Sequence, residues 1–344
     1  MAPSDRPSGE DAGAGAGAAA RDGHAPVLVH HTVQVPATTA NLGAGFDAFG
    51  LALTQHLVAR TVPRAEAGSR IVALDGGHGV PTDDDNLIWR SLVAFCELHA
   101  VPVPDVAVHV RSTIPLERGM GSSSAAIVAG LTLARELSGL SLADRAIVEL
   151  ATEIEGHPDN VAPAVLGGLV ACARDDAGNL VVRRVNPAPQ LRPLVLVPEH
   201  RQATATARAV LPDAVPLATV ADQAARAGHV LAALTGVWPA AAGLSGDHLH
   251  EPARAMVMPA SAALLTDLRR QGHHAWLSGA GPSVAVAVRR GDHSAEAAVA
   301  AGAGAHGFVC RELDWELSGA RSCPDDGCGL AGTRNCMLCP RQRL

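Results

Sequence analysis

The sequence predicts an α+β fold divided into two subdomains, and three observations support this. Strand-like and helix-like segments follow one another without a regular β–α alternation, which argues against a doubly wound parallel sheet. The 344 residues exceed the size at which one hydrophobic core usually stops growing. Hydrophobic residues make up 48% of the chain but aromatic residues only 2%, so we expect a substantial core built from Ala, Val and Leu.

Hydrophobic periodicity predicts the elements of the first half of the chain. Alternating apolar residues indicate strands, and apolar residues three and four positions apart indicate helices. Polar residues and glycines mark most of the ends. The predicted elements are, in order, a strand around Val33 and Val35, an apolar run over 49–53, a helix after a polar cap cluster at 83–86, a strand over 105–115, a helix after Gly121, a helix over 141–155 that stops at Gly156 and Pro158, and a hairpin made by 165–173 and 180–185.

A proline-rich stretch over 187–193 marks the expected boundary between the subdomains. Beyond it the same patterns predict a strand over 191–198, helices over 221–236 and 261–272, and a strand, glycine turn and strand over 275–288. The expected organisation is a disordered N-terminal tail over 1–28, a first subdomain over 29–187, a second over 188–316 and a Cys-rich C-terminal tail over 317–344.

Composition excludes several classes of function. The net charge is −7 and tyrosine is absent, whereas a nucleic-acid binder would carry a basic face and aromatic platforms. Lysine is absent too, which excludes a Walker A lysine and a Schiff-base lysine. No apolar run reaches the roughly 18 residues of a membrane span, and the N-terminus lacks the apolar core of a signal peptide. We therefore expect a cytoplasmic enzyme with a small-molecule substrate and no membrane partner.

The stretch PLERGMGSSSAAIVAGL, over 115–131, is typical of a loop that leads into a helix N-terminus. Unpaired N–H groups and the helix dipole make such an end a binding site for anions. Gly119 and Gly121 allow close backbone approach and positive φ, and the small side chains at 122–124 leave the amides uncovered. Taken alone, the stretch fits a serine-capped helix after a glycine turn equally well.

Three segments taken together resemble the GHMP small-molecule kinases. PATTANLGAGFDAFGLAL, PLERGMGSSSAAIVAGL and LSGAGPSVAVAV match the three motifs of that superfamily in order and spacing, between Val33 and Val288. EGHPDNVAPAVLGG is similar to the corresponding segment of the homoserine kinases within it. The resemblance implies a two-subdomain fold, with a ribosomal-protein-S5-like nucleotide subdomain followed by a ferredoxin-like α/β subdomain. It also implies ATP and Mg²⁺ as cofactors and transfer of the γ-phosphate to the side-chain hydroxyl of L-homoserine in threonine biosynthesis.

Other functions stay open at this point. One superfamily fold serves several acceptors, so a related amino alcohol is an alternative substrate. A member without catalysis that binds a nucleotide or an amino acid as a regulator is a second alternative. The resemblance also leads us to expect a homodimer.

The resemblance further implies the residues of the site. Glu155 and Ser123 would bind Mg²⁺. Asn160 stands where several relatives have an aspartate base, so the hydroxyl proton is expected to leave late, to the transferred phosphate. Nucleotide contacts are expected from Pro115, Gly119, Met120, Gly121, Ser122, Ser123, Ser124, Ala125 and Asn86, although a helix cap explains Asn86 equally well. Homoserine contacts are expected from Asn41, Asp47, His157, Asn160, Arg208, Arg254, Gly279 and Gly281, with the two arginines on the α-carboxylate.

The C-terminal tail carries a cysteine cluster that no motif of the superfamily covers. A four-thiolate Zn²⁺ site is one interpretation of the spacing, and a disordered or redox-active tail is the other. The residues concerned are Cys323, Cys328, Cys336 and Cys339.

Overall fold

The computed structural model describes residues 30–64, 69–75 and 79–324. Its strands, in chain order, are β1 (His31–Ala40), β2 (Phe49–Pro63), β3 (Ile71–Asp75), β4 (Val106–Ser112), β5 (Leu169–Arg174), β6 (Leu180–Val185), β7 (Leu191–Pro198), β8 (His274–Leu277), β9 (Val284–Arg289), β10 (Phe308–Glu312) and β11 (Arg321–Pro324). Its α-helices are α1 (Leu87–Leu98), α2 (Ser122–Ser138), α3 (Asp144–Glu155), α4 (Pro158–Leu166), α5 (Thr204–Ala209), α6 (Leu217–Leu234), α7 (Glu251–Ala255), α8 (Pro259–Arg270) and α9 (His293–Ala305).

Within the described residues the strands form two separate sheets. The first has the order β11-β1-β2-β4-β3, and β5 pairs with both β2 and β6. The second has the order β10-β7-β9-β8. All strand pairs are antiparallel except β3 with β4. This mixture of mainly antiparallel sheets and helices confirms the predicted α+β class.

The strand β1 and the helix α2 bring the first two motifs together in the core of the first sheet. Nine of the ten residues of β1 are buried, so this strand is covered on both faces. The helix α2 is lined by small and aliphatic side chains that pack against β1 and against α1, α3 and α4. Both motifs therefore lie on rigid, buried elements.

The chain changes sheets between β6 and β7, in the proline-rich stretch. The two sheets nevertheless share a core, because Val195 and Trp276 of the second sheet pack in the same cluster as Val33 and Leu131. The last described residues form a strand that the sequence did not predict. Residues 321–324, expected in the C-terminal tail, form β11 and pair with β1.

The predictions for the two tails concern mostly residues outside the described ranges. Residues 1–28 lie outside them, as do Cys328, Cys336 and Cys339. Cys323 is buried in β11, opposite Thr32 of β1. Among the described helices, none has both the length and the apolar character that a membrane crossing requires.

His274 in β8 should make the stability of the fold depend on pH. Its side chain is buried, and neither ring nitrogen has a hydrogen-bond partner within the described part of the chain. Burial, reinforced by the charge of Arg269, lowers its pKa to about 4. Between the ordinary pKa of about 6.5 and this value, the unfolded chain binds a proton that the folded chain excludes. We therefore expect the free energy of unfolding to fall by about 3 kcal/mol as the pH drops from about 6.5 to about 4.

Urea denaturation at a series of pH values measures this loss. His274→Leu removes this titrating group and should make the dependence in that range shallower. His109→Gln is the matched control, since His109 is an exposed histidine of β4, and this variant should leave the dependence unchanged. The same slope in His274→Leu as in the wild type would contradict the assignment.

Candidate active site

The N-terminus of α2 is open to a ligand. Gly119 and Gly121 have φ values of 70° and 68°, and Gly121 is the N-cap of the helix. Within the described residues no side-chain hydrogen bond caps the helix, so the serines that follow do not occupy the amides of the first turn. This arrangement fits an anion site and does not fit the alternative of a serine-capped helix.

The third glycine turn packs directly against this loop. A Cβ on Gly119 would lie 2.1 Å from the carbonyl oxygen of Ser278. The Ser278 hydroxyl donates to the Gly119 carbonyl at 2.7 Å. Only glycine fits at position 119 because the two backbones approach so closely. The loop is therefore fixed by the second sheet as well as by α2.

Glu155 closes one side of the same loop. It is the last residue of α3, and its Oε1 accepts hydrogen bonds from the hydroxyls of Ser123 at 2.6 Å and Ser124 at 3.1 Å. A carboxylate at a helix C-terminus is unfavourable for the helix dipole, so this placement needs another reason. Hydroxyl and carboxylate oxygens are the hard ligands that Mg²⁺ prefers, and these residues therefore fit that ion.

Asp47 and Arg208 also line the pocket and are paired with each other. The guanidinium donates two hydrogen bonds to the carboxylate, at 2.9 Å and 3.1 Å. Asn41 supports this pair, since its Oδ1 accepts from the Asp47 N–H at 3.1 Å and its Nδ2 donates to the Gly279 carbonyl at 2.7 Å. Asn41 and Asp47 both have positive φ, so the first motif forms a tight, unusual turn here.

Arg254 is a fully buried cation beside this pair. Its guanidinium donates to the carbonyls of Ala207 at 3.2 Å and Gly279 at 3.1 Å, and it is 3.0 Å from Nδ1 of His250. Burial and the neighbouring Arg208 lower the pKa of Arg254 to about 10, so it stays charged at neutral pH. Burial and Arg254 lower the pKa of His250 well below its ordinary value, so the imidazole is neutral and can accept this hydrogen bond.

His157 and Asp159 form a second hydrogen-bonded pair, with Nδ1 and Oδ1 2.5 Å apart. Burial alone would lower the pKa of His157, but the hydrogen bond and the charge of Asp159 outweigh it and raise the pKa. One ligand atom from each of Asp47, His157 and Asp159 lies within 4.8 Å of the others. Both carboxylates of this cluster already have cationic or imidazole partners, which suits a polar substrate group better than a further metal ion.

The structure brings most of the predicted residues into one pocket. Those that line it are Asn41, Asp47, Gly119, Gly121, Ser122, Ser123, Ser124, Glu155, His157, Asn160, Arg208, Arg254 and Gly279. Those that do not line it are Asn86, Pro115, Met120, Ala125 and Gly281. Met120 and Ala125 are core residues.

Asn86 has the capping role that was its alternative interpretation. Its Oδ1 accepts from the Ile88 N–H at 2.9 Å, and its Nδ2 donates to the Pro81 carbonyl at 2.7 Å. The side chain is buried at the start of α1 and does not reach the pocket.

The pocket also contains residues that the sequence analysis did not assign to it. They are Glu117, Asp159, Thr204 and Ala280. Asp159 carried a signal, since it stands between His157 and Asn160. Glu117 and Ala280 lie inside two of the quoted motifs, PLERGMGSSSAAIVAGL and LSGAGPSVAVAV, whereas Thr204 lies outside them.

Comparisons with known proteins agree with this geometry. The model of the GHMP kinases N terminal domain matches residues 86–168, and that of the GHMP kinases C terminal matches residues 231–306. The chain is 42% identical over 261 residues to a homoserine kinase of Leifsonia xyli subsp. xyli, a match that covers 74% of this chain and 79% of that protein. It is 39% identical over 298 residues to a homoserine kinase of Streptomyces avermitilis, covering 85% and 95% of the two chains.

A solved structure supports the same relationship. The crystal structure of homoserine kinase from Cytophaga hutchinsonii superposes with a TM-score of 0.73 at 25% identity, over 86% of this chain and 98% of that one. Together with the two glycine turns and the pocket between them, these matches show that the chain belongs to the GHMP kinases and, within them, to the homoserine kinase family.

Proposed function

We propose that this chain transfers the γ-phosphoryl group of ATP to the side-chain hydroxyl of L-homoserine, giving O-phospho-L-homoserine. The observation that carries the proposal is that two unlike sets of groups line one pocket. One set is the uncapped amides of α2, and the other is the charged residues Asp47, Arg208 and Arg254. A polyphosphate fits the first set, and a zwitterionic amino acid fits the second.

The ion pair between Asp47 and Arg208 matches the charges of an amino acid. The ammonium group of the substrate would bind the Asp47 carboxylate, and the substrate carboxylate would bind the Arg208 guanidinium. Asp47 and Arg208 would then each exchange the other for a substrate group of the same charge. Arg254 supplies a second, fixed cation for the carboxylate. The side-chain hydroxyl is then free to extend toward the loop of Gly119 and Gly121.

Phosphoryl transfer depends mainly on alignment and neutralisation of charge. The α2 amides would hold the phosphates, and Glu155 with Ser123 would hold Mg²⁺, which neutralises phosphate charge when bound. Asn160 cannot accept a proton at neutral pH. The homoserine hydroxyl proton therefore passes late, to the transferred phosphate.

An assay of ATP consumption tests the proposal. Purified protein with MgATP is offered L-homoserine, L-serine, mevalonate and galactose in parallel. Turnover with homoserine well above the others supports the proposal. Preference for another amino alcohol would replace the substrate, and ATP binding without turnover of any acceptor would point to a regulator.

Arg208→Gln should raise KM for homoserine by about 30-fold, equivalent to about 2 kcal/mol. The variant removes a bidentate, charge-assisted partner of the homoserine carboxylate and leaves the amides at the N-terminus of α2 unchanged. KM for ATP should stay within about twofold of the wild-type value. Initial-rate kinetics with each substrate varied in turn measure both constants.

Arg270→Gln serves as the matched control, since Arg270 is an exposed arginine of the same half of the chain that pairs with Asp267 of its own helix. It should change neither KM. If Arg208→Gln raised KM for ATP and left that for homoserine unchanged, the carboxylate assignment would be wrong.

A further inference from the structure

Thr38 makes a buried side-chain contact with Asn160 from outside the pocket. It lies in β1, its side chain is fully buried, and it does not line the pocket. Its Oγ1 is 2.8 Å from Oδ1 of Asn160, which is 122 residues away in the chain. Among the described residues that line the pocket, Asn160 is the one to which the Thr38 hydroxyl forms a hydrogen bond. The contact therefore links the core of the first sheet to a side chain that lines the pocket.

Asp159 determines which way the Asn160 amide faces. Nδ2 of Asn160 is 3.4 Å from Oδ1 of Asp159, and the same carboxylate oxygen lies 2.5 Å from Nδ1 of His157. An ionised carboxylate accepts hydrogen bonds and cannot donate them, so the amide nitrogen, not the oxygen, must face it. Oδ1 of Asn160 then faces Thr38, and the Thr38 hydroxyl is the donor.

This arrangement leaves Asn160 with a donor for the pocket. Its carbonyl oxygen is occupied by Thr38, whereas the amide nitrogen has a second N–H beyond the one facing Asp159. We propose that Thr38 is a positioning residue whose hydroxyl holds the Asn160 amide with an N–H available to the substrate oxygens in the pocket. The proposal rests on the proposed function, since it assigns the role of Asn160 in that same reaction.

The phosphate loop packs on this hydrogen bond. A Cβ on Gly121 would lie 2.0 Å from Oγ1 of Thr38 and 3.3 Å from Oδ1 of Asn160. Thr38 N–H also donates to the Met120 carbonyl at 3.2 Å. Thr38 thus fixes the loop through its backbone and Asn160 through its side chain, so the donor is held at a set position relative to the phosphates.

A double-mutant cycle tests the proposal. Thr38→Val keeps the shape and removes the hydroxyl, and Thr38→Ser keeps the hydroxyl. We expect Thr38→Val to lower kcat for homoserine by about tenfold, the effect of one lost hydrogen bond, with KM for ATP within about twofold of the wild type. Thr38→Ser should recover most of the wild-type kcat. If Thr38 acts through Asn160, Thr38→Val combined with Asn160→Ala should be no slower than Asn160→Ala alone.

Three results would overturn the inference while the wild type turns over homoserine in the same assay. They are an unchanged kcat in Thr38→Val, an equal loss in Thr38→Ser, and losses that multiply in the double variant. A wild type without turnover of homoserine would instead overturn the proposed function, and the inference with it. Thermal melts accompany each variant, and Thr38→Ala replaces Thr38→Val in the cycle if the latter does not fold.

Discussion

Gly121→Ala should raise the Kd for MgATP by about 100-fold or more, equivalent to at least about 2.8 kcal/mol of binding free energy. Gly121 has a φ of 68° and caps the helix whose amides would hold the phosphates. The new Cβ would lie 2.0 Å from Thr38 Oγ1, so the loop must move away from its position. Because the amides must converge on the phosphates, a displaced loop loses the site. Isothermal titration calorimetry with MgATP measures the effect.

Gly139→Ala is a closely matched control for this variant. Gly139 ends the same helix and has the same φ of 68°, but a Cβ there meets no heavy atom within 4 Å in the described part of the chain. Both variants carry the backbone cost of a left-handed alanine, about 1 kcal/mol, and both should lower Tm. Only Gly121→Ala should lose MgATP binding. Equal Kd values in the two variants would show that the α2 N-terminus does not bind the nucleotide.

Local patterns in the sequence predicted the elements that carry the motifs. The strand around Val33, the helix after Gly121 and the helix ending at Glu155 are where periodicity and glycine placed them. These elements are long and strongly apolar on the buried side. Residue spacing alone is enough to specify such segments.

Other elements were missed for identifiable physical reasons. Helix α4 starts at Pro158, shortly after the end of α3, and contains Pro163. The rules for proline predict a break in the helix here. The structure instead has Pro158 in the first turn of a short buried helix. Helix α9 is so rich in Ala and Gly that it shows little amphipathic contrast. Strand β11 is only four residues long, and it forms because β1 provides an edge. Its stability comes from tertiary pairing that no local pattern records.

The same distinction holds within the site. The glycine turns and Glu155 were predictable because each motif is contiguous. The contacts that orient the site join distant segments, as in the pairs of Thr38 with Asn160 and of Asp47 with Arg208. Spacing along the chain contains no information about such pairs, so their geometry required the structure.

Glu155→Gln should lower kcat by about 1000-fold, equivalent to about 4 kcal/mol of transition-state stabilisation. Glutamine keeps an oxygen that can accept from Ser123 and Ser124 but lacks the negative charge that a divalent cation needs. Steady-state kinetics over a range of Mg²⁺ concentrations measure the loss, and the variant should need far more Mg²⁺ to reach half-saturation. Glu153→Gln is the control, because Glu153 is an exposed carboxylate on the same helix.

Stability should change in the opposite direction from activity in this variant. Glu155 places a negative charge at the C-terminus of α3, where the helix dipole disfavours it, so Glu155→Gln should leave Tm unchanged or raise it slightly. If Glu155 were needed for stability, Glu155→Gln would lower Tm, and kcat would fall only in proportion to the fraction of folded protein. A large loss of kcat with an undiminished Tm therefore identifies Glu155 as a ligand that the fold tolerates at some cost in stability. Retained kcat with an unchanged Mg²⁺ requirement would remove it from the site.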